Sequence, residues 1–168
     1  NYQGDLYTGG NLNLGDSLKE IVKWDGTHWV SLGAGLGGGG SAWVNDMEVY
    51  QGQLYVAGYF HEWNGSPGHN IARWDGTKWD RVGDGLGDQY GQVMDLLVFK
   101  NRLYAVGNFD NVGGAIANGM AVWDGTEWCT LGYQFDNTIA RIGIHQNELY
   151  IVGGFWTLDT DTIKHLAK

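Results

Sequence analysis

The chain has 168 residues, among them 29 glycines, one proline and 14% aromatic residues. This length is sufficient for one domain with a hydrophobic core, and abundant glycine with short apolar runs favours short strands joined by turns. The 19 acidic and 10 basic residues give a net charge of −9, so we expect no nucleic-acid partner, because that binding needs clustered Lys and Arg. No run approaches the roughly 18 apolar residues of a membrane span, so we expect no membrane insertion.

Two phrases alternate along the chain. A Leu-Tyr pair that leads into glycine begins at Leu54, Leu103 and Leu149, with a looser copy at Leu6. Such a period predicts a stack of equivalent units that share one continuous core. The second phrase, Trp-Asp-Gly-Thr-x-Trp, begins at Trp24, Trp74 and Trp123. We place the repeats of a single domain, residues 1–168, at about 5–53, 54–102, 103–148 and 149–168, the last one incomplete.

The best-preserved unit predicts two hairpins. Apolar runs at 93–99 and 103–109 flank a polar tip, and a glycine-rich link follows at 110–118. The runs 119–123 and 127–131 then flank Asp124-Gly125, for which we predict a type I′ turn with positive φ at both residues. Four antiparallel strands in about 48 residues have the size of one β-propeller blade.

We label these strands A to D from the predicted centre outward. The A–B and C–D connections are short, whereas the B–C and D–A connections are long and are expected to share one face. The prediction is an all-β fold, a partial β-propeller of about three and a half four-stranded antiparallel blades. Counting from Phe155 places the next Trp-Asp-Gly just after Lys168, so we expect a fragment of a longer array. We also expect the rest of the propeller, or another chain, to close the ring.

The phrase LYVAGYF…NIARWDGTKWDRVGDGL, which begins at Leu54, resembles kelch-like repeats of galactose-oxidase-like propellers. It looks closer still to WDG repeats of large secreted or surface-anchored bacterial proteins, and to repeats of a fungal cortical marker. The resemblance covers essentially the whole chain. It implies an extracellular or cell-surface location and a binding or scaffolding role, while the repeat itself carries no defined reaction.

Residues that recur in every repeat are interpreted as structural. Large aromatic side chains at fixed spacing are expected to pack between sheets, and Asp before Gly is expected in a turn. The structural predictions are Trp24, Trp29, Trp74, Trp79, Trp123 and Trp128, with Asp25, Asp75 and Asp124.

Residues that do not recur and that lie in long loops are the candidates for ligand binding. Exposed aromatic rings beside carboxylates and amides offer a flat apolar surface with directional polar partners, which suits a neutral glycan or an extended peptide. Packing of the loops against the sheets is the competing interpretation. The candidates are Trp43, His61, Glu62, Trp63, His69, Asp88, Tyr90, Tyr133, Phe135 and Trp156.

The sequence supports no metal or catalytic site. His61, Glu62 and His69 have no strong zinc spacing, and no nucleophile, base and acid stand at a suggestive spacing. Acidic loops containing Asp84, Asp88, Asp136, Asp159 and Asp161 suggest calcium as a weaker candidate cofactor, although no EF-hand pattern is present.

Three functions follow from this reading. The first is a binding or adhesion module for a glycan or a protein partner, which acts through the long loops. The second is part of a propeller enzyme, an oxidase or a glycan-cleaving enzyme, whose catalytic residues lie in other blades. The third is a structural repeat that assembles through its open sheet edges.

Overall fold

The structure is a computed structural model that describes residues 1–10, 12, 20–36, 42–61, 67–158, 161–162 and 165–168, with only the backbone for 161 and 162. These residues form strands, turns and bends without any helix, so the predicted all-β class is confirmed. It follows that the described part contains no helix able to span a bilayer.

Two four-stranded sheets and two three-stranded sheets follow one another along the chain, and all their strand pairs are antiparallel. The first contains β1 (Tyr7–Gly9), β2 (Ile21–Trp24) and β3 (Trp29–Ser31). The second contains β4 (Trp43–Tyr50), β5 (Gln53–Tyr59), β6 (Ile71–Trp74) and β7 (Trp79–Arg81). The third contains β8 (Gln92–Phe99), β9 (Arg102–Asn108), β12 (Met120–Trp123) and β13 (Trp128–Thr130). The fourth contains β14 (Ile139–His145), β15 (Glu148–Gly153) and β18 (Leu166–Ala167).

Two small hairpins lie inside the long B–C loops. They pair β10 (Asn111–Val112) with β11 (Ala115–Ile116), and β16 (Thr157–Leu158) with β17 (Asp161–Thr162). The first of them falls in the segment predicted as a glycine-rich link. Gly113 and Gly114 both have positive φ there, which closes a two-residue turn between paired Val112 and Ala115.

The predicted type I′ turn at Asp-Gly is wrong in one respect. Gly125 has positive φ but Asp124 does not, so the turn does not have the two left-handed residues that type I′ requires. That pattern lies instead at the A–B turns, where Gln51 and Gly52, and likewise Lys100 and Asn101, all have positive φ. The sequence predicted short connections at both places but not their positive φ angles, because only one of the two contains glycine.

The glycine of the Leu-Tyr phrase marks a close approach of two strands. A Cβ at Gly107 would lie 2.3 Å from the Gln92 carbonyl oxygen, and one at Gly58 would lie 2.0 Å from that of Trp43. The register of the facing strand shifts beside each glycine, as in a β-bulge. No side chain larger than hydrogen fits at this point of the sheet.

Each hydrophobic core lies between two consecutive sheets. Ile21 of the first sheet packs with Val44 and Trp74 of the second. Tyr55 and Ile71 of the second sheet join a core with residues of the third, and the third sheet forms another with the fourth. A sheet therefore has no core of its own, and it is stabilised by its neighbours.

The first strands of consecutive sheets, β4, β8 and β14, are also linked by hydrogen bonds. Asp46 Oδ2 accepts a bond of 2.8 Å from the Leu96 backbone N–H, and Asp95 Oδ2 accepts one of 2.8 Å from the Ile142 N–H. Arg141 follows the fourth-sheet bulge as the two aspartates follow theirs, and it donates instead to the Met94 carbonyl at 3.1 Å. The bulge thus directs one polar side chain of each of these three strands toward a strand of a neighbouring sheet.

We predict that Gly107→Ala destabilises the fold by about 1–3 kcal/mol, because its methyl group would overlap the Gln92 carbonyl. Gly143→Ala is the matched control, since a Cβ at that strand position meets nothing within 4 Å. The measurement is the free energy of unfolding from urea titration of both variants. Equal stabilities would contradict the close approach.

A second prediction concerns pH. Burial raises the pKa of Asp95 to about 6, the Ile142 N–H opposes that rise, and the neighbouring Asp46 carboxylate adds to it. Because the folded pKa exceeds the ordinary 3.8, protonation stabilises the fold. This contribution is complete below about pH 3.8 and is lost as the pH rises through about 6.

Urea titrations across this range should therefore show falling stability toward neutral pH, and Asp95→Asn should flatten that slope. The turn aspartates do not mask the effect, because hydrogen bonds hold the pKa of Asp25, Asp75 and Asp124 at about 2. An unchanged slope in the Asn variant would refute the assignment.

Candidate functional site

The repeated tryptophans join one sheet to the next. Trp79 Nε1 donates to the Leu32 carbonyl at 3.0 Å, and Trp128 Nε1 donates to that of Val82 at 2.9 Å. Each pairs with the first tryptophan of its own hairpin, with ring centroids 5.0 Å apart for Trp74–Trp79 and 5.3 Å for Trp123–Trp128. Trp24 and Trp29 form the same pair at 5.3 Å in the first sheet.

The repeated aspartates close the outer hairpins through their side chains. Asp75 Oδ1 accepts bonds from the Thr77 N–H, the Thr77 hydroxyl and the Lys78 N–H, all between 2.8 and 2.9 Å. Asp25 and Asp124 accept the corresponding bonds in their own turns. These carboxylates therefore satisfy local backbone groups.

The long loops contact one another through buried polar groups. The Asn70 side chain accepts from the Phe60 N–H at 3.2 Å and donates to the Leu86 carbonyl at 2.7 Å, which ties a B–C loop to the following D–A loop. The Gly87 N–H donates to Asn111 O at 2.9 Å, which joins that D–A loop to the next B–C loop. The loops around the second and third sheets thus form one connected surface.

A row of aromatic rings lies on this surface at the end of the second sheet. Trp43 stacks on Tyr59 at 4.6 Å between centroids with an interplanar angle of 20°, and the His61 ring meets the Tyr59 ring edge-on at 4.6 Å. The centroid of the His69 ring lies 6.1 Å from that of the His61 ring. Three of these four residues were predicted as candidates, and the structure brings them together.

Sequence reasoning missed Tyr59 because it belongs to the repeated Leu-Tyr phrase. The signal that could have identified it is the residue after the bulge glycine, which changes from Tyr59 to Asn108 and Gly154 while the phrase around it is kept. Trp43 changes in parallel, because its strand partner is Tyr59, whereas Asn108 pairs with Gln92.

A pocket of about 280 Å³ opens between the loops of the third and fourth sheets. Phe135 forms one wall, and its ring lies 5.1 Å from the buried Phe155 ring. The polar side chains around the opening are those of Asn108, Asp110, Asn118, Asp136, Asn137 and Thr138.

The pocket and the aromatic row occupy matching positions in successive repeats. Asn108 corresponds to Tyr59 because each follows the bulge glycine, and Asp110 corresponds to His61 because each follows the buried phenylalanine. Backbone geometry is therefore kept while the chemistry changes from aromatic and imidazole to amide and carboxylate.

The remaining predicted residues are spread over the loops. Tyr90 is 76% exposed, and its N–H donates to Asp88 Oδ1 at 2.8 Å. Tyr133 and Trp156 are exposed, and the Trp156 N–H donates to Asp136 Oδ1 at 2.8 Å beside the pocket. Two predicted candidates, Glu62 and Trp63, lie outside the described residues.

The loop surface is acidic. The long loops carry five carboxylates with described side chains, namely Glu20, Asp84, Asp88, Asp110 and Asp136. No described residue of these loops is a Lys or an Arg. Asp136 binds the N–H groups of Trp156 and Thr157, which lowers the pKa of its carboxyl. The surface suits a neutral or cationic ligand better than an anionic one.

Potential metal ligands come together at one place in the described part of the chain. Asp124, Glu127 and Cys129 each offer an atom within 4.8 Å of the others. Since Asp124 Oδ1 already accepts three bonds within its turn, the hairpin explains this grouping. Calcium at the acidic loops stays a prediction; the side chains of Asp159 and Asp161 are outside the described part.

No protein-family model matches the chain, and no curated protein matches it.

The aromatic row predicts a measurable property of His61. Burial lowers the pKa of His61 below its ordinary 6.5, the nearby His69 lowers it further, and the Asp88 carboxylate raises it. Because Asp88→Asn removes this carboxylate, it should lower the His61 pKa further, and NMR titration of the imidazole signals measures the change. A matched substitution, Asp84→Asn, should leave it unchanged, and a rise on Asp88→Asn would contradict the proposed geometry.

Proposed function

We propose that this chain is a segment of an extracellular, kelch-like β-propeller that binds a glycan or a protein partner through its long loops. The propeller interpretation is supported by sheets that pack face to face in chain order, with each core between two neighbours. The bonds from Asp46 to Leu96 and from Asp95 to Ile142 keep the innermost strands together, as a shared centre requires. The extracellular location rests on the sequence resemblance.

The observation that carries the binding role is the pocket beside Phe135. It combines an apolar wall with amide, carboxylate and hydroxyl groups at its opening, which is the composition that sugar hydroxyl groups need for orientation. Its walls come from the B–C loop of the third sheet and from the D–A loop that leads into the fourth sheet, so the packing of these two loops fixes the pocket. The stacked rings of Trp43 and Tyr59 supply a second aromatic surface beside the connected loops.

The negative charge of the loops limits the classes of ligand that they favour. A carboxylated or sulfated glycan would approach Asp110 and Asp136 with no described Lys or Arg in these loops to compensate. A neutral oligosaccharide is therefore the first ligand class to test.

The test is an NMR titration of the chain with neutral and sulfated oligosaccharides, after a glycan array has selected them. We expect shifts at the pocket residues with the neutral set, and Asn108→Ala should weaken binding about tenfold by removing one hydrogen-bonding amide. Glu127→Ala, on the outer hairpin turn, is the control and should leave the affinity unchanged. Equal affinities of wild type and Asn108→Ala would remove the pocket from the proposal.

A further inference from the structure

Every interior interface is built from the same two kinds of face. The face that a sheet turns to the following sheet carries Ala57 and Ile71 in the second sheet, and Val106 and Met120 in the third. These two pairs are cross-strand partners at equivalent positions. The opposite face of each sheet, which receives the preceding sheet, carries a leucine of the Leu-Tyr phrase and the first tryptophan of the hairpin.

The fourth sheet has the first kind of face, and no sheet in the described part of the chain lies against it. Val152 and Leu166 are cross-strand partners at the positions of Ala57 and Ile71. They are 41% and 54% exposed, whereas Ala57 and Ile71 are fully buried. Their chain neighbours Ile151 and Ala167 point the other way, into the core shared with the third sheet. We call the surface of Val152 and Leu166 the tail face.

The first sheet has the second kind of face, and again none of the described sheets lies against it. Leu6 is 50% exposed, while the equivalent Leu54 and Leu103 are 4% and 0% exposed. Trp24 is 37% exposed, while the equivalent Trp74 and Trp123 are 7% and 3% exposed. We call the surface of Leu6 and Trp24 the head face.

We propose that the tail face of one copy of this chain binds the head face of a second copy. The argument is continuity with the interfaces inside the chain, where side chains of the same type at the same positions are already buried against each other. Burial of these exposed apolar side chains favours association. The contact is between sheet faces, unlike the pairing of open strand edges, and it goes beyond ligand binding by the loops.

Polar groups at the two faces fit the same arrangement. Across two of the three interior interfaces, Tyr2 donates its hydroxyl to the Gly52 carbonyl and Tyr50 donates to that of Asn101, both at 3.1 Å. Phe99 occupies this position on the third sheet and has no hydroxyl to donate. His145 occupies the tyrosine position on the fourth sheet, next to Tyr150 at 6.1 Å between centroids. An imidazole N–H there can donate to the Gly4 carbonyl of the second copy, which corresponds to Gly52.

The two faces are different, so the contact is heterologous. Blocking one face in every molecule prevents association, but a mixture of head-blocked and tail-blocked molecules still contains one free face of each kind. Such a mixture can form a dimer that cannot grow. A symmetric head-to-head contact would behave otherwise, because molecules blocked at the tail would still pair.

The experiment uses sedimentation velocity of the 168-residue chain over a hundredfold concentration range. Leu6→Glu blocks the head face and Leu166→Glu blocks the tail face; both positions are exposed, so the fold is expected to persist, with circular dichroism as the check. Ile116→Glu is the matched control, since Ile116 is 68% exposed in β11, away from both faces.

For the wild type and for Ile116→Glu, the mass should rise above 18.5 kDa with concentration. Each single-face variant alone should stay at the monomer mass, with self-association weakened at least about tenfold. An equimolar mixture of the two variants should give a species of twice the monomer mass. A wild type that remains monomeric at every concentration, or a tail-blocked variant that dimerises alone, would overturn the proposal.

Discussion

The packing of one sheet against the next is the interaction on which this structure depends. A three- or four-stranded sheet of this size cannot bury its apolar side chains by itself, and the cores lie between sheets. Stability is therefore expected to rise with each neighbour added, as in other repeat proteins whose units contact only adjacent units. The tryptophan N–H groups that donate to carbonyls of the preceding repeat add direction to this contact.

The bulge in each of β4, β8 and β14 sets both the spacing of two strands and the direction of one polar side chain. The glycine opposite it lets the two strands approach, and the residue after it points at a neighbouring sheet. Asp46 and Asp95 use this position to accept a backbone N–H, and Arg141 uses it to donate to a carbonyl. This reversal places the Arg141 cation near the Asp95 carboxylate.

Much of the fold could be predicted from the sequence because the repeat consists largely of residues with strong conformational preferences. The strands around Asp124-Gly125 and Leu103 were expected within one or two residues of their positions. The short A–B turns were predicted, but their backbone conformation was not, because Lys100 and Asn101 adopt positive φ without glycine. The β10–β11 hairpin was not predicted, because its strands have only two residues each. The candidate site was predicted by its loops and by several side chains. Its pocket could not be predicted, because it depends on how Asn108 at the end of β9 meets Phe135 in the loop before β14.

Each main sheet is assembled from strands that follow one another in the chain, so almost all ladder pairing is between sequence neighbours. A ribosome delivers such a chain in the order in which its sheets can close. A newly emerged sheet would still expose one apolar side until the next had been synthesised, because Ile71 and Ala57 can be covered only by the sheet that follows them. A nascent chain of this kind therefore exposes the apolar face of its most recently formed sheet at each stage of translation. A chaperone would be needed at that face.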